Sequence, residues 1–219
     1  MALTIDLDTG RTALLASIDG LLEAIDGMSE LELLEPSACF GWTRLDVVTH
    51  LIFGGVEQLM GVATRVDEPP TVDAASYWRS YAELTRGEDR VEELMAQRRR
   101  GSSYARPESA RVHLRDVFAA VRAGVRDLDE RHVAWQGEVF TAGDFTAVWA
   151  VEHAVHHLDL LVTEPPPSES LRLARATVDA LLRVRTPQSW DDIDAVLIGS
   201  GRQTARRDGP IPEELPVLG

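Results

Sequence analysis

The chain of 219 residues contains no lysine and no asparagine, and all 22 of its basic side chains are arginine. Codons for the two missing residues are rich in A and T. Their absence points to a GC-rich genome and says nothing about fold. A single cysteine, Cys39, excludes an intrachain disulfide framework. It lies among apolar and small residues with no histidine beside it in sequence, which predicts a packed structural thiol rather than a nucleophile. No apolar run approaches the roughly 18–20 residues that span a bilayer. The opening MALTIDLDTG has neither the basic region nor the apolar stretch of a secretory signal, so the cytoplasm is the expected compartment. Positive charge is scarce too: 36 acidic side chains outweigh the arginines and leave a net charge of −14. Such a surface repels phosphate backbones and anionic lipid, so neither nucleic acid nor a membrane is an expected partner. The one dense basic cluster, Arg98-Arg99-Arg100, reads as a solvated helix C-terminus where cations complement the helix dipole.

What is present is helical. A 44% hydrophobic chain of this length suits one compact domain, or one with a short appendage. Leu14, Leu15, Ile18, Leu21, Leu22 and Ile25 recur at three- and four-residue spacing, and Gly27 sits where that helix would stop. Thr43 with Asp46 has the form of a capping box opening a second helix to about Arg65. Residues 74–99 read as helical with a split or bend at Gly87, and Pro107 can start the next helix. The stretch from His132 to Phe140 has no helical period and reads as extended or loop. Asp144 then caps a long helix reaching Val162, where Pro165-Pro166-Pro167 stops it. Beyond the prolines, Ser168 opens a further helix, a short one follows around Trp190 to Ile198, and a tail carrying Ile211, Leu215, Val217 and Leu218 packs on the body. The expected fold is all-α, an up-down four-helix bundle over residues 1–163, with a small helical and irregular C-terminal extension over 164–219.

Chemistry concentrates in VEHAVHHLDLL, where three of the six histidines fall within little more than one helical turn. Residues four apart share a helix face, so two pairs are available to a metal ion: Glu152 with His156, or His153 with His157. A third ligand must come from another helix, and His50 is the evident supplier. Two histidines with a glutamate form one ligand set for catalytic zinc, and three histidines form another. Asp159, three residues past His156 on the same face, favours the first pair, because a carboxylate there can orient a ligating imidazole. Trp42 and Trp149 fit core packing better than substrate contact, although Trp149 and His153 lie close enough in sequence to line the same cavity.

The segment CFGWTRLDVVTHL (Cys39 to Leu51) resembles the CPGWTVRDVLAHL signature of the mycothiol-dependent maleylpyruvate isomerase N-terminal domain family, a branch of the DinB-like four-helix bundles. VEHAVHHLDLL is similar to that family's second signature, and the two stand in the expected order about a hundred residues apart. The resemblance covers residues 10–163. It implies His50, Glu152 and His156 as metal ligands, with Asp159 supporting His156. It implies a divalent ion (zinc, with nickel or iron as alternatives) and mycothiol as co-substrate, in keeping with a high-GC, actinobacterial source. The function implied is a thiol transferase or isomerase-like enzyme acting on a small electrophile. Phe40 replaces the family's proline, which affects loop shape. The isomerase itself has a further lipid-transfer-like domain in place of residues 164–219, so its own reaction is not the expectation here. Two rival readings stand beside this one: a cyclase or small-molecule binder of specialised metabolism that uses the bundle without thiol chemistry, and a non-catalytic bundle whose ion staples the helices. A homodimer is compatible with any of them.

Overall fold

Capping residues set the ends of the helices. Asp6 accepts from the Thr9 amide to open α1 (Leu7–Asp26), which stops at Gly27. Ser29 closes a full capping box with Glu32 on a single turn, α2 (Glu30–Leu33), too short to show a period in the sequence. Thr43 and Asp46 form the expected capping box on α3 (Arg44–Val62). Gly87, at φ +89°, separates α4 (Ser76–Leu84) from α5 (Arg90–Ser102). Pro107 is the first residue of α6 (Pro107–Arg126). The non-helical stretch is a hairpin, β1 (His132–Trp135) and β2 (Glu138–Thr141), paired antiparallel around Gln136 and Gly137. Both turn residues have positive φ, as a tight two-residue hairpin requires. The computed structural model describes residues 1–87, 89–204 and 215–218.

Three boundaries differ from expectation. The cap of α7 (Ala142–Asp159) is Thr141, whose hydroxyl accepts from the Asp144 amide. Asp144 instead turns its carboxylate to the Ile5 amide, 2.8 Å away, and pins the N-terminal segment to the helix. That helix ends at Asp159 rather than Val162, because Leu161 takes a left-handed conformation well before the prolines. In α8 (Ser168–Leu182) the cap position belongs to Pro167 and Ser168 is the first helical residue. The short helix α9 (Asp192–Gly199) is capped by Asp191, and Leu215, Val217 and Leu218 return to the body as expected. Ile211 lies outside the described residues.

The four long helices α1, α3, α6 and α7 form the bundle, with α1 and α3 on one diagonal and α6 and α7 on the other. Their directions follow from matched positions. Gly10 meets Gly143 and Thr146 while Gly20 lies against His157, so α1 and α7 run parallel. Gly55 meets Val117 and Gly124 meets Val62, so α3 and α6 also run parallel. Gly61 lies against Phe145 and Gly54 against Trp149, which makes α3 and α7 antiparallel. The chain therefore runs up, down, down, up, a refinement of the expected up-down order, with the α4–α5 segment carrying it between the two parallel helices. Leu14, Ile18 and Leu21 of α1, Val48, Leu51 and Ile52 of α3, Leu114, Phe118 and Val121 of α6, and Phe145, Val148 and Val151 of α7 fill the centre. On that core α8 packs against α1 and α7.

By length and apolar composition α3 meets the requirement for crossing a membrane, contrary to the expectation that no segment does. Val47, Val48, Leu51 and Ile52 are buried in the bundle core, whereas Phe53, Val56 and Met60 are exposed.

Candidate metal centre

Because α3 and α7 are antiparallel, the first half of α3 faces the last half of α7, and His50 comes to lie opposite Glu152 and His156. One oxygen of Glu152, Oε1, is 3.0 Å from His50 Nε2 and 3.1 Å from His156 Nε2. One ligand atom from each of the three residues lies within 4.8 Å of the others. The two imidazole rings are 4.6 Å apart, and Trp42 covers both: its ring is 5.2 Å from that of His50 and nearly parallel to that of His156.

Behind His156 the polar contacts continue inward. Its Nδ1 donates to Asp159 Oδ2 at 2.9 Å, which leaves Nε2 to face Glu152. Asp159 also accepts from Arg202 Nε and Nη2, both at 3.1 Å, and from Cys39 Sγ at 3.0 Å. The Asp159 side chain is wholly buried. Burial would raise its pKa, but the His156 and Arg202 charges hold it well below the usual carboxylate range. Glu152 follows the same pattern: burial opposes ionisation, and the two histidines overcome it, so its carboxyl stays well below the ordinary value. For His156 burial favours the neutral ring, yet Glu152 and Asp159 on its two sides hold its pKa well above the ordinary histidine value. Burial, reinforced by the charge on His156, pushes His50 down.

Glu152 and Asp159 thus flank His156 and favour its protonated form. Its Nε2 points to the place where a cation would be shared by three converging donors. The residues fit a divalent ion: two imidazole nitrogens and one carboxylate oxygen, with the tautomer of one imidazole already fixed. A second group of three donors, Cys39, His156 and Asp159, also lies close together. The Arg202 guanidinium already neutralises Asp159 there and would repel a metal, so the first group is the better cation site.

Two clefts meet at the triad. One, of 240 Å³, lies toward the hairpin and is bounded by Tyr77, Trp78, Trp135 and Trp149. The other, of 540 Å³, is lined by both charged and apolar side chains, among them Cys39, Trp42, Arg90, Glu93, Leu94 and Arg202. His50, Trp78, Tyr81 and Glu152 line both. Trp42 and Trp149 therefore face cavities as well as packing neighbours. Cys39 is partly exposed at the larger cleft and hydrogen-bonded to Asp159, not packed away as its sequence neighbours suggested.

His153 lines neither cleft, correcting its placement as a pocket residue. It is buried between Ser17 and Gln58, at 3.0 Å from each. The Ser17 hydroxyl is committed to Leu14 O, so His153 Nδ1 donates to Ser17 and Nε2 accepts from the Gln58 amide, a neutral ring. Burial drives its pKa down to about 3. His157 turns away to Glu164 O, while His113 and His132 sit at the periphery against Tyr104 and Glu68. Arg202 escaped sequence reasoning because it follows α9 in an irregular segment with no period to mark it. The aromatic residues of α4 were equally silent, since an aromatic at helical spacing reads as core.

The fold and site together define a helical bundle with a candidate metal site of two imidazoles and a carboxylate on facing helices. The chain belongs to the mycothiol maleylpyruvate isomerase N-terminal domain family, whose model matches residues 13–161. Among solved structures it is similar to the mycothiol-dependent maleylpyruvate isomerase, at 17% identity and a TM-score of 0.55. It is likewise similar to a histidine-to-alanine mutant of that isomerase, at 19% identity and a TM-score of 0.56. Each alignment covers 80% of this chain and 70% of the other. No curated protein matches the chain at a significant level.

Proposed function

We propose that the protein is a divalent-metal-dependent thiol transferase or isomerase-like enzyme acting on a small electrophile, with zinc as the metal and mycothiol as the co-substrate. The observation that carries this reading is the convergence of His50, Glu152 and His156 where two clefts of different character meet. His50 and His156 would hold the ion through Nε2 and Glu152 through a carboxylate oxygen. A divalent ion bound there lowers the pKa of a thiol and favours the nucleophilic thiolate near neutral pH.

The chain's own groups do the rest. Asp159 keeps the proton of His156 on Nδ1 and presents the other nitrogen to the site. Trp42, in ring contact with both imidazoles, restricts their orientation. The larger cleft suits a hydrophilic thiol, with the exposed Arg90 as its donor, and the smaller aromatic cleft receives the electrophile.

The test begins with metal analysis of purified protein after zinc supplementation, followed by mycothiol conjugation to monobromobimane. Stoichiometric zinc and thiol conjugation are expected in the wild type, with both lost in His50→Ala and His156→Ala and zinc retained in His157→Ala. Absence of stoichiometric metal sinks the proposal. Metal without thiol conjugation leaves the ion a structural staple.

A further inference from the structure

The smaller cleft concentrates a scarce resource. Of five tryptophans in the chain three line it (Trp78, Trp135, Trp149), with two of the three tyrosines (Tyr77, Tyr81) and Phe53. The rings are in mutual contact rather than scattered: Trp135 lies 4.8 Å from Trp149 and 5.2 Å from Tyr77. On the α3 side the wall is Gly54, where an added methyl group would stand 3.1 Å from Trp149 Cζ3. The glycine therefore lets the α3 backbone approach the indole closely.

Charge in this cleft is also distinctive. Glu57 accepts from the neutral Trp135 Nε1 at 2.7 Å, which fixes its carboxylate without cancelling its charge, and Glu152 is matched by the two histidines. Arg100 remains. It lies over the Phe53 ring, its guanidinium carbon 5.0 Å from the centroid, and spends Nη1 on the neutral side chain of Gln97. Among the described residues it has no carboxylate partner, whereas its neighbour Arg98 pairs with Asp46. An exposed guanidinium placed over a ring, with donors beyond the one given to Gln97, suits a carboxylate. A cavity of 240 Å³ sits below the roughly 300 Å³ at which drug-sized pockets begin, and takes one ring with a short acid chain.

We infer that this cleft is a binding site for an aromatic carboxylate, its ring among the tryptophans and its acid group on Arg100. The inference rests on the proposed function in making that acid the electrophilic substrate, but the binding itself does not depend on thiol chemistry. A ligand with a cationic head is the opposite alternative, since aromatic walls with a nearby glutamate also attract ammonium groups.

Calorimetric titration with cinnamate, cinnamamide and phenyltrimethylammonium, on zinc-loaded and metal-free protein, decides between them. Cinnamate is expected to bind both forms. Its neutral amide should bind about tenfold more weakly, as loss of a charge-assisted contact implies. R100Q should remove that preference while leaving the circular dichroism spectrum and the zinc content unchanged. Equal binding of acid and amide, an R100Q variant that still prefers the acid, or preference for the ammonium compound each overturns the site. Zinc content of the same samples is read separately. Protein that takes up no stoichiometric zinc on supplementation yet binds cinnamate through Arg100 defeats the metal–thiol reading and leaves the aromatic-acid site standing.

Discussion

Asp159→Asn separates two roles of one buried carboxylate. Asp159 is fully enclosed and accepts from His156, Cys39 and the Nε–Nη2 edge of the Arg202 guanidinium, whose side chain is only 18% exposed. An asparagine in either orientation points an N–H₂ at one of these donors and cancels the charge opposing Arg202. Leaving a buried cation unpaired costs about 3–5 kcal/mol, which for a chain of this length lowers Tm by on the order of 10 °C. Independently, His156 loses the carboxylate that fixes its tautomer and raises its basicity, and zinc affinity falls roughly 10- to 100-fold. The double variant Asp159→Asn with Arg202→Met distinguishes the two effects. Removing the stranded cation restores most of the stability, whereas zinc affinity stays low because His156 still lacks its anionic partner. Differential scanning calorimetry on metal-free protein reads the first quantity and chelator competition reads the second. A single variant that binds zinc within twofold of wild type, or a double variant no more stable than the single one, refutes the reasoning.

Three further outcomes are expected. His153 stays neutral in the folded state down to about pH 3 but titrates near 6.5 when unfolded. Its contribution is complete above pH 6.5 and is lost as pH falls from there toward 3, by up to about 1.4 kcal/mol per pH unit. The His153→Gln variant should lose that part of the slope in urea melts at pH 7, 5.5 and 4, and an unchanged slope counts against the neutral buried ring. Zinc must displace the proton of His156, whose pKa is raised. Affinity should therefore climb with pH from 6 to 8 in competition titrations, and a flat profile would exclude an imidazolium in the metal-free site. Gly10→Ala places a methyl 2.3 Å from Thr146 Oγ1 and 2.6 Å from Gly143 O, so it should cost about 1–3 kcal/mol. Gly27→Ala meets only ordinary contacts at 3.5 Å and should be close to neutral in the same melts.

Local signals carried the helices well where one residue type has one meaning. Thr43 with Asp46, Pro107, Gly27 and Gly87 each mark a boundary by backbone chemistry that tertiary packing does not override. The start of α7 was read one turn late because Thr141 and Asp144 are both capping residues, and only the packing of the Ile5 segment decides which plays that part. Helical spacing also put Glu152, His156 and Asp159 on one face, and the structure brings His50 to them. It could not choose His153's direction, since the same four-residue spacing serves a buried ring bonded to Ser17. Cys39, Arg100 and Arg202 were misread or unseen for a common reason. Their meaning comes from neighbours 43 or more residues away in sequence or from a cavity wall, and nothing adjacent encodes either.

Along α7 every side chain except Glu152 and Leu158 is buried. A helix hemmed in on all sides tolerates little, so a saturation screen scored on abundance or growth would return an almost unbroken block of sensitive positions from Ala142 to Asp159. In such a map a ligand such as His156 and a packing residue such as Ala150 would look alike. Mutational sensitivity on this helix carries no functional information until each variant is also scored for bound metal.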